Sequence, residues 1–261
     1  MKVTCIQMDI QPAQPGENLQ KAAAMIAEAM EGAPDVLVLP ECWNTGVLHG
    51  ENVAHICDQD GSMVKEKIGG LAKQYGVNIV AGSVANLRGG KLFNTAMAFD
   101  RKGECIASYD KIHLFSPMGE DTYYTPGDHL CRFQLDGQDC GMIICYDLRF
   151  PELTRALALT GVDMLFVVSQ WPKVRLPHLK TLTAARAIEN QMFLCCCNAC
   201  GGAENTAIGG NSRVLDPWGN PLAEAEDREC LLTAECDFSI LKDIRTTINV
   251  FADRRPELYG M

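Results

Sequence analysis

Three side chains with complementary chemistry close three apolar stretches of this chain. Glu41 follows Val36-Leu37-Val38-Leu39-Pro40, Lys111 ends the stretch from Glu104, and Cys145 follows Gly141-Met142-Ile143-Ile144. In open α/β sheets, sites form beyond the carboxyl ends of the strands. If these three strands are neighbours, the side chains converge. A thiol, an ammonium and a carboxylate together can open an amide through a thioester. Cys145 would attack the carbonyl carbon. Lys111 would favour the thiolate and put positive charge on the oxyanion. Glu41 would take the thiol proton, hand one to the leaving amine and activate water. The Tyr146 N–H could complete the oxyanion site. Taken singly, each of the three reads first as a strand-end charge or a core thiol.

The surroundings of Cys145 strengthen its candidacy. A short polar turn follows it, then Pro151 and a helical pattern (Leu153, Ala156, Leu157, Leu159) that stops at Gly161. Pro suits a first helical turn and Gly a helix exit. Backbone N–H groups and the positive end of a helix dipole would gather near the sulfur and favour its thiolate. A Cys–His pair would instead need His49, His55, His113, His129 or His178. Only His113, two residues past Lys111, is near enough in sequence, and it equally suits orienting a neighbour or a plain loop role. No serine elbow, phosphate-cradling loop or dinucleotide fingerprint is present.

The elements that must position these residues follow from periodicity. Strands are expected at Val3–Asp9, Val36–Leu39, Val77–Asn86, Leu92–Asp100, Glu104–Lys111, up to Ile144, and at Val162–Ser169, Met192–Asn198, Asn211–Asp216 and Glu229–Asp237. Helices are expected at Glu17–Glu31, Ser62–Tyr75 (weakened by Gly69-Gly70), from Pro151, and at Leu176–Asn190 and Phe238–Ile248. Residues 112–131 form a long loop, and loops of that length inside a compact domain are usually functional. Helices and strands alternate early and late around a run of strands. The expectation is one α/β layered domain spanning residues 1–261, its core at about 3–237, with two sheets.

Composition narrows the function class. A net charge of -10 without a basic run disfavours nucleic acid. No stretch approaches the roughly 20 apolar residues that span a bilayer. The N-terminus enters a strand pattern at once, without the apolar region of a signal peptide, so a cytoplasmic protein is expected. The 13 cysteines are then expected to be reduced. Cys195, Cys196, Cys197 and Cys200 contain one C-x-x-C spacing but no second pair and no histidine at ligand spacing, so they are expected to pack as small hydrophobes, not to hold a metal.

Leu39-Pro40-Glu41, Tyr109-Asp110-Lys111-Ile112-His113-Leu114-Phe115 and the run from Gly141 to Leu153 resemble the three signature segments of the nitrilase superfamily, the carbon-nitrogen hydrolases. The resemblance runs from residue 3 to the tail. It implies that Glu41, Lys111 and Cys145 are catalytic and that Glu120 helps to position substrate. It also implies an αββα sandwich, two β-sheets flanked by helices, that pairs into a dimer, and a hydrolase without cofactor or metal. Ser169-Gln170-Trp171-Pro172, the run from Ala185 to Gln191, Asp216-Pro217-Trp218-Gly219 and the tail from Asp253 to Tyr259 are similar to bacterial ω-amidase-like members. These deamidate ω-monoamides of dicarboxylates such as 2-oxoglutaramate. The resemblance departs at Ser116-Pro117-Met118-Gly119 and in the cysteine-rich strand.

Further candidates surround this set. Arg149 and Arg175 could pair with a substrate carboxylate, since Arg offers bidentate recognition; Arg149 equally suits a fixed structural ion pair. Tyr146 and Trp171 could wall the pocket. Asp147 suits a local turn or cap better than an acid. Arg186 and Glu189, three apart on a helix, suit an ion pair. The helix and tail from 238 to 261, with Arg254 and Arg255, could meet a partner subunit or solvent. Small-molecule amide and water are the expected partners. The alternatives on the same fold are an N-carbamoyl compound, another aliphatic amide or a nitrile as substrate. A protein that kept the fold for binding or scaffolding is a further alternative.

Overall fold

The computed structural model describes residues 1–47, 51–202 and 207–259; His49 and the last two residues lie outside them. In chain order the elements are β1 (Lys2–Gln7), α1 (Pro15–Ala29), β2 (Val36–Val38), β3 (Asp58–Gln59), α2 (Ser62–Tyr75), β4 (Asn78–Arg88), β5 (Lys91–Phe99) and β6 (Cys105–Asp110). Then follow α3 (Glu120–Tyr123), β7 (Arg132–Leu135), β8 (Gln138–Ile144), α4 (Pro151–Leu159), β9 (Met164–Ser169), α5 (Leu176–Asn190) and β10 (Phe193–Asn198). The chain continues through β11 (Cys200–Gly201), β12 (Ile208–Gly209), β13 (Arg213–Leu215), β14 (Pro221–Glu224), β15 (Cys230–Glu235) and α6 (Ile240–Thr247).

Two sheets carry the fold. The first has the order β15-β1-β2-β4-β5-β6, with β3 beside β4; the second has the order β14-β13-β10-β9-β8-β7. The strands that lead to Glu41 and Cys145 belong to parallel runs: β1, β2 and β4 in one sheet, β8, β9 and β10 in the other. Strands buried on both faces have apolar residues at every position, and alternation then decides which layer each residue joins. Val3, Cys5, Val36 and Val38 pack between the sheets against Met142, Ile144, Phe166, Val168, Cys195 and Cys197. On the outer face of the first sheet, Ile6, Leu37 and Ile79 meet Ile26 of α1 and Ile68 of α2. On the outer face of the second, Ile143, Val167 and Cys196 meet Leu157 of α4 and Leu179 of α5. The layers therefore run helix, sheet, sheet, helix.

Two local features differ from the sequence pattern. α2 runs unbroken through Gly69, which lets the helix lie against the β5–β6 turn, where a Cβ would stand 3.0 Å from the Gly103 carbonyl oxygen. The nucleophile strand also has a partner the pattern did not indicate. β7 pairs antiparallel with β8 around Asp136 and Gly137, which have φ of 48° and 83°. Positive φ at both centres of a two-residue hairpin is what an Asp-Gly pair supplies.

The consecutive cysteines are core residues. Cys195 and Cys197 join the inter-sheet layer and Cys196 the helix side. Burial pushes all three thiols up, as it does Cys131, Cys140 and Cys236, which reach about 12. All 13 cysteines are free thiols. Among the described residues no cluster of His, Cys, Asp and Glu could hold a metal ion, and no helix is long and apolar enough to cross a membrane.

Candidate active site

Glu41 is set by the end of β2 and a bulge in β4. The register of β4 against β5 shifts between Val80 and Ser83. That bulge receives the Glu41 segment: Leu39 N–H donates to Val80 O at 3.0 Å, Ser83 N–H to Pro40 O at 3.1 Å, Cys42 N–H to Ser83 Oγ at 3.0 Å and Trp43 N–H to Ser83 O at 3.1 Å. The approach is close enough that only Gly fits at 82, where φ is 58° and a Cβ would come within 2.0 Å of Pro40 O. Cys42 beside it takes φ of 43°, a left-handed conformation uncommon outside Gly, Asn and Asp.

Lys111 follows β6 in the same sheet, its N–H donating to Asn94 O on β5 at 2.9 Å. Its ammonium reaches Glu41 Oε1 at 2.9 Å and Glu120 Oε2 at 2.8 Å, all three side chains being nearly inaccessible. Asn94 Nδ2 donates to both carboxylates, at 2.9 Å to Glu41 and 3.2 Å to Glu120. Burial alone would drive Lys111 towards its neutral form, but the two carboxylates outweigh it and hold the ammonium well above its usual range. Lys111 is therefore a fixed cation and not a base. Glu120, carried on α3 in the long loop, also accepts Phe115 N–H at 2.6 Å.

Cys145 comes from the other sheet. It ends β8 with φ of 45°, a strained position for a residue with a Cβ, as nucleophiles at sharp turns often are. The turn after the sulfur and the helix from Pro151 lie where the sequence pattern places them. A 3₁₀ turn spans Cys145–Arg149 and α4 begins at Pro151. Burial and the Glu41 carboxylate, outweighing Lys111, push the thiol well above its ordinary value. The resting sulfur is thus a thiol beside a carboxylate, not a preformed thiolate.

Asp147 turns out to be a fully buried hub. It accepts from Tyr109 Oη at 2.7 Å, His113 N–H at 2.9 Å, Ile144 N–H at 3.0 Å and pairs with His113 Nδ1 at 2.8 Å. Tyr109 and His113 flank Lys111, and Ile144 precedes Cys145, so one carboxylate ties the lysine's loop to the cysteine's turn. His113 is stacked on Phe150 at 3.6 Å and serves this tie. Arg186 and Glu189 form the expected ion pair at 2.9 Å, and Arg186 also donates to Leu148 O in the cysteine's turn.

A cavity of about 300 Å³ opens onto the set. Glu41, Lys111, Glu120 and Cys145 form its polar end, and Tyr146, Arg149, Trp171 and Arg175 line it as well. Among the described residues Arg149 makes no ion pair: it lies over Trp171 at 4.6 Å and contacts His178 Nδ1 at 3.4 Å. Arg175 lies over Phe115 at 5.6 Å. Neither guanidinium has a carboxylate partner among the described residues. Gln170, Asn94 and the Phe115 N–H carry much of the network; Asn94 has no sequence signal, and Gln170 and Phe115 stood out only as members of the segments that carry the family resemblance.

Residues 2–246 match the family model for carbon-nitrogen hydrolase. The chain is 41% identical over 257 residues to the 2-oxoglutaramate amidase of Bacillus subtilis (strain 168), covering 98% of each chain. Among solved structures it is similar to Saccharomyces cerevisiae Nit3, a member of branch 10 of the nitrilase superfamily (TM-score 0.91, 28% identity, 98% and 96% of the two chains). It is also similar to a mutant of the amidase from Nesterenkonia sp. AN1 whose active-site cysteine has added acrylamide (TM-score 0.86, 27% identity, 100% and 98% of the two chains). The chain belongs to the carbon-nitrogen hydrolase family of the nitrilase superfamily, as a cysteine-dependent hydrolase acting on amide C–N bonds.

Proposed function

We propose that this carbon-nitrogen hydrolase is an ω-amidase, removing ammonia from the terminal amide of a dicarboxylate monoamide such as 2-oxoglutaramate. The observation that carries this reading is the pair of guanidinium groups, Arg149 and Arg175, on the cavity that holds Cys145, neither matched by a carboxylate among the described residues. A substrate carboxylate would give them the bidentate partner that Arg favours. The 41% identity to a 2-oxoglutaramate amidase supports the same substrate class.

In this mechanism Glu41 takes the Cys145 proton as sulfur bonds to the amide carbon, so the thiolate forms only as it attacks. Lys111 and the Tyr146 N–H face the oxyanion. The tetrahedral adduct collapses as Glu41 returns the proton to nitrogen, the C–N bond breaks and ammonia leaves a thioester. Water then gives a proton to Glu41 and its hydroxyl to the acyl carbon. The C–S bond breaks, the carboxylate departs and the thiol is restored. Glu120 holds Lys111 alongside Glu41 and keeps its charge fixed.

The test is ammonia release from 2-oxoglutaramate, 2-oxosuccinamate, glutamine, a simple aliphatic amide and an N-carbamoyl amino acid, with Cys145→Ala alongside. Turnover of the ω-monoamides that is absent in Cys145→Ala supports the reading. Turnover only of the simple amide or the carbamoyl compound would reject the ω-amidase assignment and keep the thiol mechanism. The aliphatic amide has an observation of its own: Val47, Met118, Val174 and Ile208 give the cavity an apolar side.

We also propose a homodimer built on one domain, with the C-terminal helix and tail at the interface. Ile248, Leu258 and Tyr259 lie exposed there, as an apolar interface would require. Light scattering of the purified protein tests this. Thirteen free thiols suit a reducing compartment, so we place the enzyme in the cytoplasm.

A further inference from the structure

Ser169 ends β9, and its side chain is completely buried, yet its hydroxyl has no hydrogen-bond partner among the described residues. Buried hydroxyls left unpaired are rare because burying an unsatisfied polar group costs stability. Such a group therefore calls for an explanation. Its place in the sheet supplies one.

β8 and β9 run in parallel register with Ile143 opposite Val167 and Ile144 opposite Val168. One step further sets Cys145 beside Ser169, at the ends of adjacent strands and on the same face, since Ile143 and Val167 both point to the helix side. The neighbour on the other flank cannot satisfy the hydroxyl. Asn198, opposite Ser169 on β10, has its amide committed to Trp171 N–H, at 2.7 Å, and to Gly210 O, at 2.7 Å. The Ser169 carbonyl is also occupied, accepting Ala199 N–H at 3.0 Å and Glu41 N–H at 3.5 Å. The backbone of Ser169 thus touches the base while its idle hydroxyl stands next to the nucleophile.

We propose that Ser169 is a further catalytic residue: its hydroxyl donates to the Cys145 sulfur as the thiolate forms, stabilising the activated nucleophile. A neutral thiol is a weak acceptor and leaves the hydroxyl without a completed bond at rest. A thiolate is a strong one, because hydrogen bonds to charged groups are roughly twice as strong as neutral ones. The interaction therefore strengthens where charge develops on the sulfur, which is the condition for lowering a barrier. The direction of the effect agrees: Ser169 lowers the proton affinity of Cys145 against the upward push of burial and Glu41.

This assignment rests on Cys145 being the nucleophile, and the experiment separates the two. Iodoacetamide alkylation of Cys145 is followed peptide by peptide in the mass spectrometer across pH, alongside steady-state ammonia release, for wild type, Ser169→Ala, Ser169→Thr and Cys145→Ala. Cys145→Ala tests the nucleophile alone. Ser169→Ala is expected to fold with an unchanged or higher Tm, since it removes an unpaired polar group. It is expected to lose about 10- to 100-fold in kcat/KM and to move the alkylation inflection to higher pH. Ser169→Thr, which keeps the hydroxyl, is expected to restore the inflection. Wild-type alkylation and turnover in Ser169→Ala would overturn the proposal. So would reduced turnover with an unmoved inflection, because a packing role would lower activity without changing the thiol.

Discussion

Glu41 and Gln170 grip each other twice across the two sheets, though 129 residues separate them in the chain. Gln170 N–H donates to Glu41 Oε2 at 2.9 Å, and Gln170 Nε2 donates to Glu41 O at 2.7 Å. The first bond aims the carboxylate and the second anchors its backbone. Together they fix the base of one sheet to the strand end that adjoins the nucleophile of the other.

Gln170→Ala removes the anchor and leaves the aiming bond. The orphaned Glu41 carbonyl is expected to cost about 1–3 kcal/mol of stability. A displacement of the base is expected to lower kcat about tenfold with KM nearly unchanged. Thermal melts and steady-state kinetics check both; an unchanged kcat would show that the backbone bond alone holds Glu41.

Glu41→Gln separates the carboxylate's two effects on Cys145. Turnover is expected to fall by about 10²–10⁴ for want of the proton acceptor. The negative charge that raises the thiol is also removed. The thiolate should then form at lower pH, and the inflection in iodoacetamide alkylation should move down as activity disappears. An inflection that stays or rises would mean that Glu41 does not set the thiol's proton affinity.

Asp147→Ala leaves the donors of Tyr109, His113 and Ile144 without their acceptor. A loss of about 3 kcal/mol or more is expected at about 1–3 kcal/mol for each buried orphan. Asp147→Asn keeps one acceptor oxygen and should fall between. Chemical denaturation ranks the three proteins, and equal stability of Asp147→Ala and wild type would remove Asp147 as the hub.

Gly82→Ala sets a Cβ against Pro40 O in a left-handed backbone. Strain and overpacking together are expected to cost about 3 kcal/mol, a fall in Tm of roughly 6–12 °C for a chain of this size. Glu41 rides on the displaced segment, so activity should fall further than stability at temperatures where the variant remains folded. Calorimetry beside an assay at low temperature makes the comparison.

The parts of this site that were legible in the sequence are those that interrupt an apolar run. Strands buried on both faces leave Glu41, Lys111 and Cys145 conspicuous as the first polar groups at their ends. Their convergence was not legible, because pairing order carries no local signal; it entered through resemblance to a family. Glu120 entered the same way. Asn94 had no signature, and Gln170 stood out only as part of Ser169-Gln170-Trp171-Pro172, since an amide does its work through partners far away in the chain. β7 was missed although Asp136-Gly137 is a strong hairpin signal; its four residues alternate exposed and buried at the sheet edge and lack the apolar run of the inner strands. The charge state of Cys145 was misjudged for a physical reason. The argument from a helix terminus left out burial and the carboxylate beside the thiol, both of which act in the opposite direction.

The split of the reacting groups between the sheets has a consequence for how activity arises after synthesis. Glu41 and Lys111 belong to the first sheet and Cys145 to the second, so neither sheet alone holds a competent hydrolase. The first sheet is itself completed only when β15, from near the end of the chain, pairs with β1, from its start. Pairings so distant in sequence form slowly. Enzymatic activity in a refolding experiment should therefore return after secondary structure has recovered, which makes catalysis a reporter of sheet docking.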